Sequence, residues 1–418
     1  MKILMVSDAF YPKIDGVVTY LNNSIRYLVS KTNKIIVLCP EYDTPYKETR
    51  IKGVKIIRFP SFSFPTYKEA KFSIPELKLM DTVFREFHPD IVHIHTPSPL
   101  GIIAMIFAKR HHIPIVNTYH TSLPDTAIYI SPRKLLKLED LEKRLPISRE
   151  LELKLEDFQK KIIRLFKTRK REPFSSKAAW SIVRLLYNPS DIIIAPSPNI
   201  MKELKKHKVK GKIIVLSNGI ELDKFKKKRS YNKKIKFLHV GRLAHEKKID
   251  VLIESLAKTV SVHPDAKLSI IGDGPIMPEI KQKAARIGVL KNIRFYGYVN
   301  RDKLPALYRQ HDVFITASEY ETQGLVIIEA MASGLPVIGV NVLAIPDVVH
   351  PGITGFLAKR GNSNEIAKFM CLMIENPGLA KTLGDNARKE AEKHDVNACM
   401  AQMENIYKDL TDAYRIRT

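Results

Sequence analysis

Two carboxylates with seven residues between them, Glu321 and Glu329 in ETQGLVIIEAMASGLPV, flank a glycine turn and are the chain's best candidates for chemistry. The run before them, DVFITAS at residues 312–318, is apolar and ends on small polar side chains, which predicts a buried strand. Gly324, Leu325 and Val326 then open an apolar helical segment that closes at Gly334-Leu335-Pro336. A helix start presents unpaired amides, and these suit an anionic group, a phosphate above all. Carboxylates on either side accept hydrogen bonds from hydroxyls. The stretch is therefore suited to a phosphate and a sugar together. The competing reading is a surface loop followed by a helix on which Glu329 is solvated.

Two other glycine turns stand where they could meet the same ligand. Gly16 precedes the first helix, and Gly241-Arg242 follows a strand. Neither fits G-x-G-x-x-G or G-x-x-x-x-G-K-[ST], which disfavours a bound dinucleotide or a P-loop ATPase. Arg242 and Lys247 lie on one short loop, and two such cations can hold a diphosphate without a metal. Either cation alone would read as a solvated surface charge.

The elements that must position these residues alternate regularly. Strands are expected at residues 2–7, 34–39, 55–59, 91–95, 113–119, 191–195 and 212–216, with helices at 17–30, 75–87 and 99–109. A lysine-heavy stretch, KFKKKRSYNKK at 224–234, reads as a linker between domains. The alternation then restarts, with strands at 235–240, 267–271, 292–298, 312–318 and 336–340, a helix at 248–260, and helices to the end. The fold class is α/β, two tandem doubly wound domains with parallel sheets. The expected boundaries are 1–224 and 235–395, with a last helix at about 396–418 crossing back to the first domain. Ligands in such sheets bind beyond the carboxyl ends of the strands, so the cleft between the domains is the expected site.

Composition narrows the class. A chain of 418 residues with 44% hydrophobic content supports two or three soluble domains. Three widely spaced cysteines argue against a disulfide framework or a zinc site and fit a reducing cytoplasm. The start, MKILMVSDAF, is too short for a signal peptide, and the longest apolar run is under half a membrane span. The net charge of +25 is not uniform: a highly charged helical insertion at about 132–187 has a basic second half, FQKKIIRLFKTRKREPFSSKAAWSIVRLLY, with nine Lys or Arg against one acid, Glu172. A basic amphipathic helix with Trp180 nearby suits an anionic membrane surface, through residues of about 158–187. A solvated helix packed on the first domain is the alternative. Sparse aromatics and the absence of a nucleic-acid motif argue against DNA or RNA.

The motifs GRLAHEK, SNGIELDKF, GDGP, GYV and ETQGLVIIEAMASGLPV, with the early DGVVTY and NTYHT, occur in the order and spacing of a known family. The chain resembles the family 4 glycosyltransferases, retaining enzymes of the GT-B fold. ETQG with GVVT is closest to the branch of diacylglycerol glucosyltransferases and lipid mannosyltransferases. The resemblance implies a donor site in which Arg242 and Lys247 clamp the diphosphate of a nucleotide sugar and Gly16 lets the first-domain loop approach it. It implies that the amides of Gly324, Leu325 and Val326 add a helix-terminus contact, that Glu329 takes the ribose hydroxyls, and that Glu321 takes those of the transferred sugar. Gly297 to Val299 would lie against the base, Gly272 of GDGP joins the donor-binding set, and His120 of NTYHT would sit beside the donor sugar. His93 and His95 alternate on a strand without partners at metal spacing and read as structural.

The implied activity is retaining hexosyl transfer from a UDP-glucose or GDP-mannose type donor, with front-face attack and the leaving phosphate taking the acceptor proton. His120, Glu321, Arg242 and Lys247 are the implied catalytic set. No cofactor is expected, and no metal, since the chain lacks the Asp-x-Asp pair of metal-dependent transferases. The acceptor is a membrane lipid or lipid-linked molecule. A soluble sugar or polysaccharide acceptor is the close alternative, and a non-catalytic nucleotide-sugar or nucleic-acid binder the remote one. The expected location is cytoplasmic, with peripheral attachment to the inner face of the cell membrane.

Overall fold

The computed structural model describes residues 1–13, 15–42, 53–64, 67–120, 176–231 and 234–416. The chain forms two compact units, one of Met1–Pro196, Met201–Leu216 and Met400–Thr418 and the other of Ser197–Ile200 and Ser217–Cys399.

The first unit is built on strands β1 (Lys2–Val6), β2 (Lys34–Pro40), β3 (Val54–Phe59), β6 (Ile91–Ile94), β7 (Ile115–Thr118), β8 (Ile192–Ala195) and β9 (Lys212–Val215). They form one parallel sheet in the order β3-β2-β1-β6-β7-β8-β9. β1 sits near the middle, and its near-continuous apolar run KILMV is what a strand covered on both faces requires. One face is packed by helices Leu77–Phe87 and Pro99–Arg110 around Leu4, Val6, Leu38 and Ile94. Helix Gly16–Ser30 buries Val18, Leu21, Ile25 and Leu28, the face its 3.6-residue periodicity selects.

The second unit carries β10 (Lys236–Val240), β11 (Lys267–Ile271), β12 (Ile293–Gly297), β13 (Val313–Ile315), β14 (Val337–Val340) and β15 (Gly355–Ala358), parallel in the order β12-β11-β10-β13-β14-β15. Its core joins the sheet to helices Ile249–Val262, Leu325–Ala332 and Ser363–Glu375.

Four expectations need correction. Strands β4 (Ser61–Phe64) and β5 (Tyr67–Ser73) form an antiparallel hairpin with no counterpart in the sequence reading. β15 was not expected either, because its four residues GFLA are too few to show a period. The described part of 224–234 is no free linker: Phe225 is core, and Lys228 lies buried with its ammonium against Asp312 and the His311 carbonyl. A lysine stem is apolar and its charge can be buried once paired, which composition cannot reveal.

The fourth correction concerns the insertion. Residues 121–175 of it lie outside the described residues, and with them most of the proposed membrane helix. Helix Ser176–Tyr187 is described, and it does not offer Trp180 to a membrane. The indole is buried, stacked on His207 with centroids 3.9 Å apart, and Arg184 donates to the His207 carbonyl at 3.0 Å. An aromatic at helical spacing here serves packing. Among the described residues no helix is long and apolar enough to cross a membrane.

Candidate functional site

In the second sheet the strand order reverses between β10 and β13, and the loops after these two neighbouring strands carry the candidate residues. Glycines after β11 let that segment lie close against the β10 loop. Gly272 has φ +133°, and a Cβ there would lie 1.9 Å from the Gly241 carbonyl oxygen; one on Gly274 would lie 2.2 Å from that of Leu243. The two segments also bond directly, Leu243 N–H to the Asp273 carbonyl at 2.9 Å. GDGP thus supports the loop bearing Arg242 and Lys247, and this packing alone requires glycine at 272.

That loop meets the β13 loop through charge. Lys247 Nζ pairs with Glu321 Oε1 at 2.5 Å, with side chains 20% and 12% exposed, while Arg242 bonds Glu246 at 2.9 Å. The Glu319 amide donates to the Glu246 carbonyl at 3.1 Å, and its buried carboxylate takes Arg360 at 2.6 Å. Beneath them His239 donates from Nδ1 to the Ile315 carbonyl at 3.0 Å, and burial, aided by Lys247, lowers its pKa to about 4. A neutral imidazole with a buried unpaired Nε2 therefore underlies the Gly241 turn.

Gly324, at φ +77°, caps helix Leu325–Ala332, so Leu325 and Val326 supply its first amides. Glu329 on that helix is not solvated. Its side chain is 2% exposed, Arg301 Nη2 lies 2.6 Å from Oε1, and Tyr308 Oη donates to Oε2 at 3.1 Å. Burial pushes its pKa up, and Arg301 and Tyr308 oppose the rise. Arg301 was missed by the sequence reading: an arginine just after GYVN has no helical or strand period to mark it. Gly297 accepts the Gly272 amide at 2.8 Å, and Val299 packs against the core.

The first unit holds the remaining candidates. Gly16 begins its helix, with Asp15 as N-cap accepting from Val18 N–H at 2.9 Å. His120 follows β7 and is buried, its Nε2 3.3 Å from His95 Nδ1 and its ring 4.8 Å from that of Tyr20. Burial lowers its pKa to about 3, against the pull of Asp15, so the imidazole is neutral and suited to exchanging a hydrogen bond with a hydroxyl. His93 bonds Thr118 at 2.7 Å and also Tyr407 of the last helix. His93 is a packing residue, whereas His95 touches His120 and orients it. Asp8, just past β1, was also missed. Ser73 of β5 donates to its Oδ1, and burial raises its pKa to about 6 against the hydrogen bonds from Ser73 and Ser98. Among the described residues no three His, Cys, Asp or Glu are grouped to hold a metal.

Residues 14–224 match the model of Glycosyltransferase Family 4, and residues 221–390 that of Glycosyl transferases group 1. The chain belongs to glycosyltransferase family 4. It is 27% identical to the sulfoquinovosyl transferase of Arabidopsis thaliana over 96% of this chain and 72% of that one. It is also 27% identical to the alpha-monoglucosyldiacylglycerol synthase of Acholeplasma laidlawii, over 99% of this chain and 98% of the other. Among solved structures, HepE from Anabaena in complex with UDP superimposes with a TM-score of 0.70 at 19% identity, covering 98% of this transferase and 100% of that chain. The two doubly wound units are those of the GT-B fold.

Proposed function

We propose that this transferase moves a hexose, with retention of configuration, from a UDP-glucose or GDP-mannose type donor to a membrane lipid or lipid-linked acceptor. The observation that carries the donor reading is the meeting of Lys247 and Glu321 across two adjacent strand-end loops, with Glu329 buried on the helix that follows the second. Lys247 and Arg242 take the donor diphosphate and stabilise the charge that grows on it as the C1–O bond breaks. Glu321 accepts from hydroxyls of the hexose and Glu329 from those of the ribose. The acceptor oxygen attacks C1 from the face the phosphate leaves, and its proton passes to the departing phosphate oxygen. His120, neutral and oriented by His95, is assigned a hydrogen bond to the donor sugar.

The acceptor reading draws on a relative named as a monoglucosyldiacylglycerol synthase and on the +25 charge, which favours an anionic leaflet. The enzyme is taken to work peripherally at that surface, without a metal or cofactor. The test is turnover of labelled UDP-glucose and GDP-mannose with diacylglycerol in mixed micelles containing anionic lipid. An α-linked hexosyl lipid is the expected product. Turnover only with soluble sugars would move the acceptor to that alternative, and no transfer from either donor would defeat the reading.

A further inference from the structure

Gln323 stands in the loop between the two carboxylates, 3% exposed, where solvent cannot satisfy its amide. Both ends of that amide are used. Nε2 donates to Ser217 Oγ, and Oε1 accepts from Asn218 N–H at 2.9 Å. The backbone N–H of Asn218 can only donate, so the oxygen must face it and the orientation of the amide is fixed. Ser217 Oγ also accepts from Gly219 N–H at 3.1 Å and lies 2.8 Å from His394 Nδ1. Burial lowers the His394 pKa, and a neutral ring whose Nδ1 accepts the Ser217 proton completes the network. No side chain but a primary amide of this length supplies one donor and one acceptor at these two points.

Other contacts hold the loop as well, among them the Lys247–Glu321 pair. Glu319 is tied to Arg360, and the Glu321 carbonyl accepts from Ala344 N–H at 3.2 Å. Between Glu321 and the left-handed Gly324, the buried Gln323 amide ties the loop to Ser217 and Asn218. We propose that Gln323 is a positioning residue for Glu321, fixing the carboxylate that receives the transferred hexose. This rests on the donor reading above. The effect is read as a ratio of sugar-nucleotide to nucleotide affinity, because Glu321 is assigned to the hexose and its partner Lys247, with Arg242, to the diphosphate.

The experiment is calorimetric titration of wild type, Gln323→Ala, Ser217→Ala, Glu321→Gln and the Glu321→Gln/Gln323→Ala double variant with UDP, UDP-glucose, GDP and GDP-mannose. For the donor that wild type binds, Gln323→Ala should shift the ratio of sugar-nucleotide to nucleotide affinity by about tenfold against the sugar, the loss of one hydrogen-bonded contact to a charged group. Nucleotide affinity itself should stay within about threefold, Ser217→Ala should shift the ratio the same way, and the double variant should be no worse than Glu321→Gln alone. Equal losses of both affinities, an unchanged ratio in either single variant, or additive losses in the double variant would overturn the assignment. Ser217→Ala leaves the glutamine in place and tests the contact even where Gln323→Ala unfolds. If wild type binds none of the four ligands, the donor reading fails and takes this inference with it; if wild type binds a donor and the ratio holds, this inference fails alone.

Discussion

Lys247 and Glu321 neutralise one another, yet each is assigned to a different part of the donor. A diphosphate must therefore draw Lys247 away from a carboxylate 2.5 Å distant. The pair is neither exposed nor fully buried, at 20% and 12% side-chain exposure, so its coupling should lie between the surface value and that of an interior pair. That places it at about 1–2 kcal/mol. Urea unfolding of Lys247→Met, Glu321→Gln and the double variant should give a coupling of that size. Glu321→Gln also frees the ammonium, and inorganic pyrophosphate should then bind about fivefold more tightly, the equivalent of about 1 kcal/mol. The same variant should lose hexose transfer. A coupling under about 0.3 kcal/mol, or a fall in pyrophosphate affinity, would refute the idea that the two groups compete before the donor arrives.

Arg301→Met should cost about 3 kcal/mol in a denaturant melt, because Glu329 is left buried without its cation; a loss within about 0.5 kcal/mol would show that Tyr308 suffices. Asp8 has its pKa raised to about 6 from an ordinary 3.8, so the fold favours the neutral acid. Stability from this group is present below pH 4 and lost as pH rises through 6, a change of about 3 kcal/mol. Urea midpoints at pH 4 and 7 should show Asp8→Asn gaining on wild type by about that amount at the higher pH, and a constant difference would refute it. Chelator treatment should leave turnover within about twofold, since two cations and not a metal serve the diphosphate; a tenfold loss reversed by a divalent ion would assign that charge elsewhere.

Most of the fold was legible because parallel strands buried on both faces are continuous apolar runs. β1, β2 and β11 could be read almost to the residue. What escaped was short or conditional. β15 has four residues, and the β4–β5 hairpin contains a proline between its strands that reads as a stop. Lys228 looked like linker because its charge dominates composition, while its burial depends on Asp312, 84 residues away. Candidate cations and carboxylates were legible as types at strand ends, but their partners were not. Arg301 and Ser73 reach Glu329 and Asp8 only through the tertiary fold, and Gln323 stood in the ETQG motif without any sign of what it holds.

The two glutamates that first drew attention are the same residue type in two different states of readiness. A carboxylate offers about four lone-pair sites. Glu329 spends one on Arg301 and one on Tyr308, which leaves one on each oxygen. Two remaining acceptors are what a vicinal diol needs, so the ribose role proposed for Glu329 asks nothing of Arg301 but to stay. Its charge is compensated before and after binding, and the cost of burying it is met by the fold. Glu321 differs because its cation is also the cation proposed for the diphosphate. Its hydrogen-bonding capacity is released by the arrival of the donor's own phosphate, and that ties hexose recognition to an intact diphosphate. A free hexose, lacking the phosphate that displaces Lys247, should accordingly bind this transferase far more weakly than its share of the donor's contacts suggests.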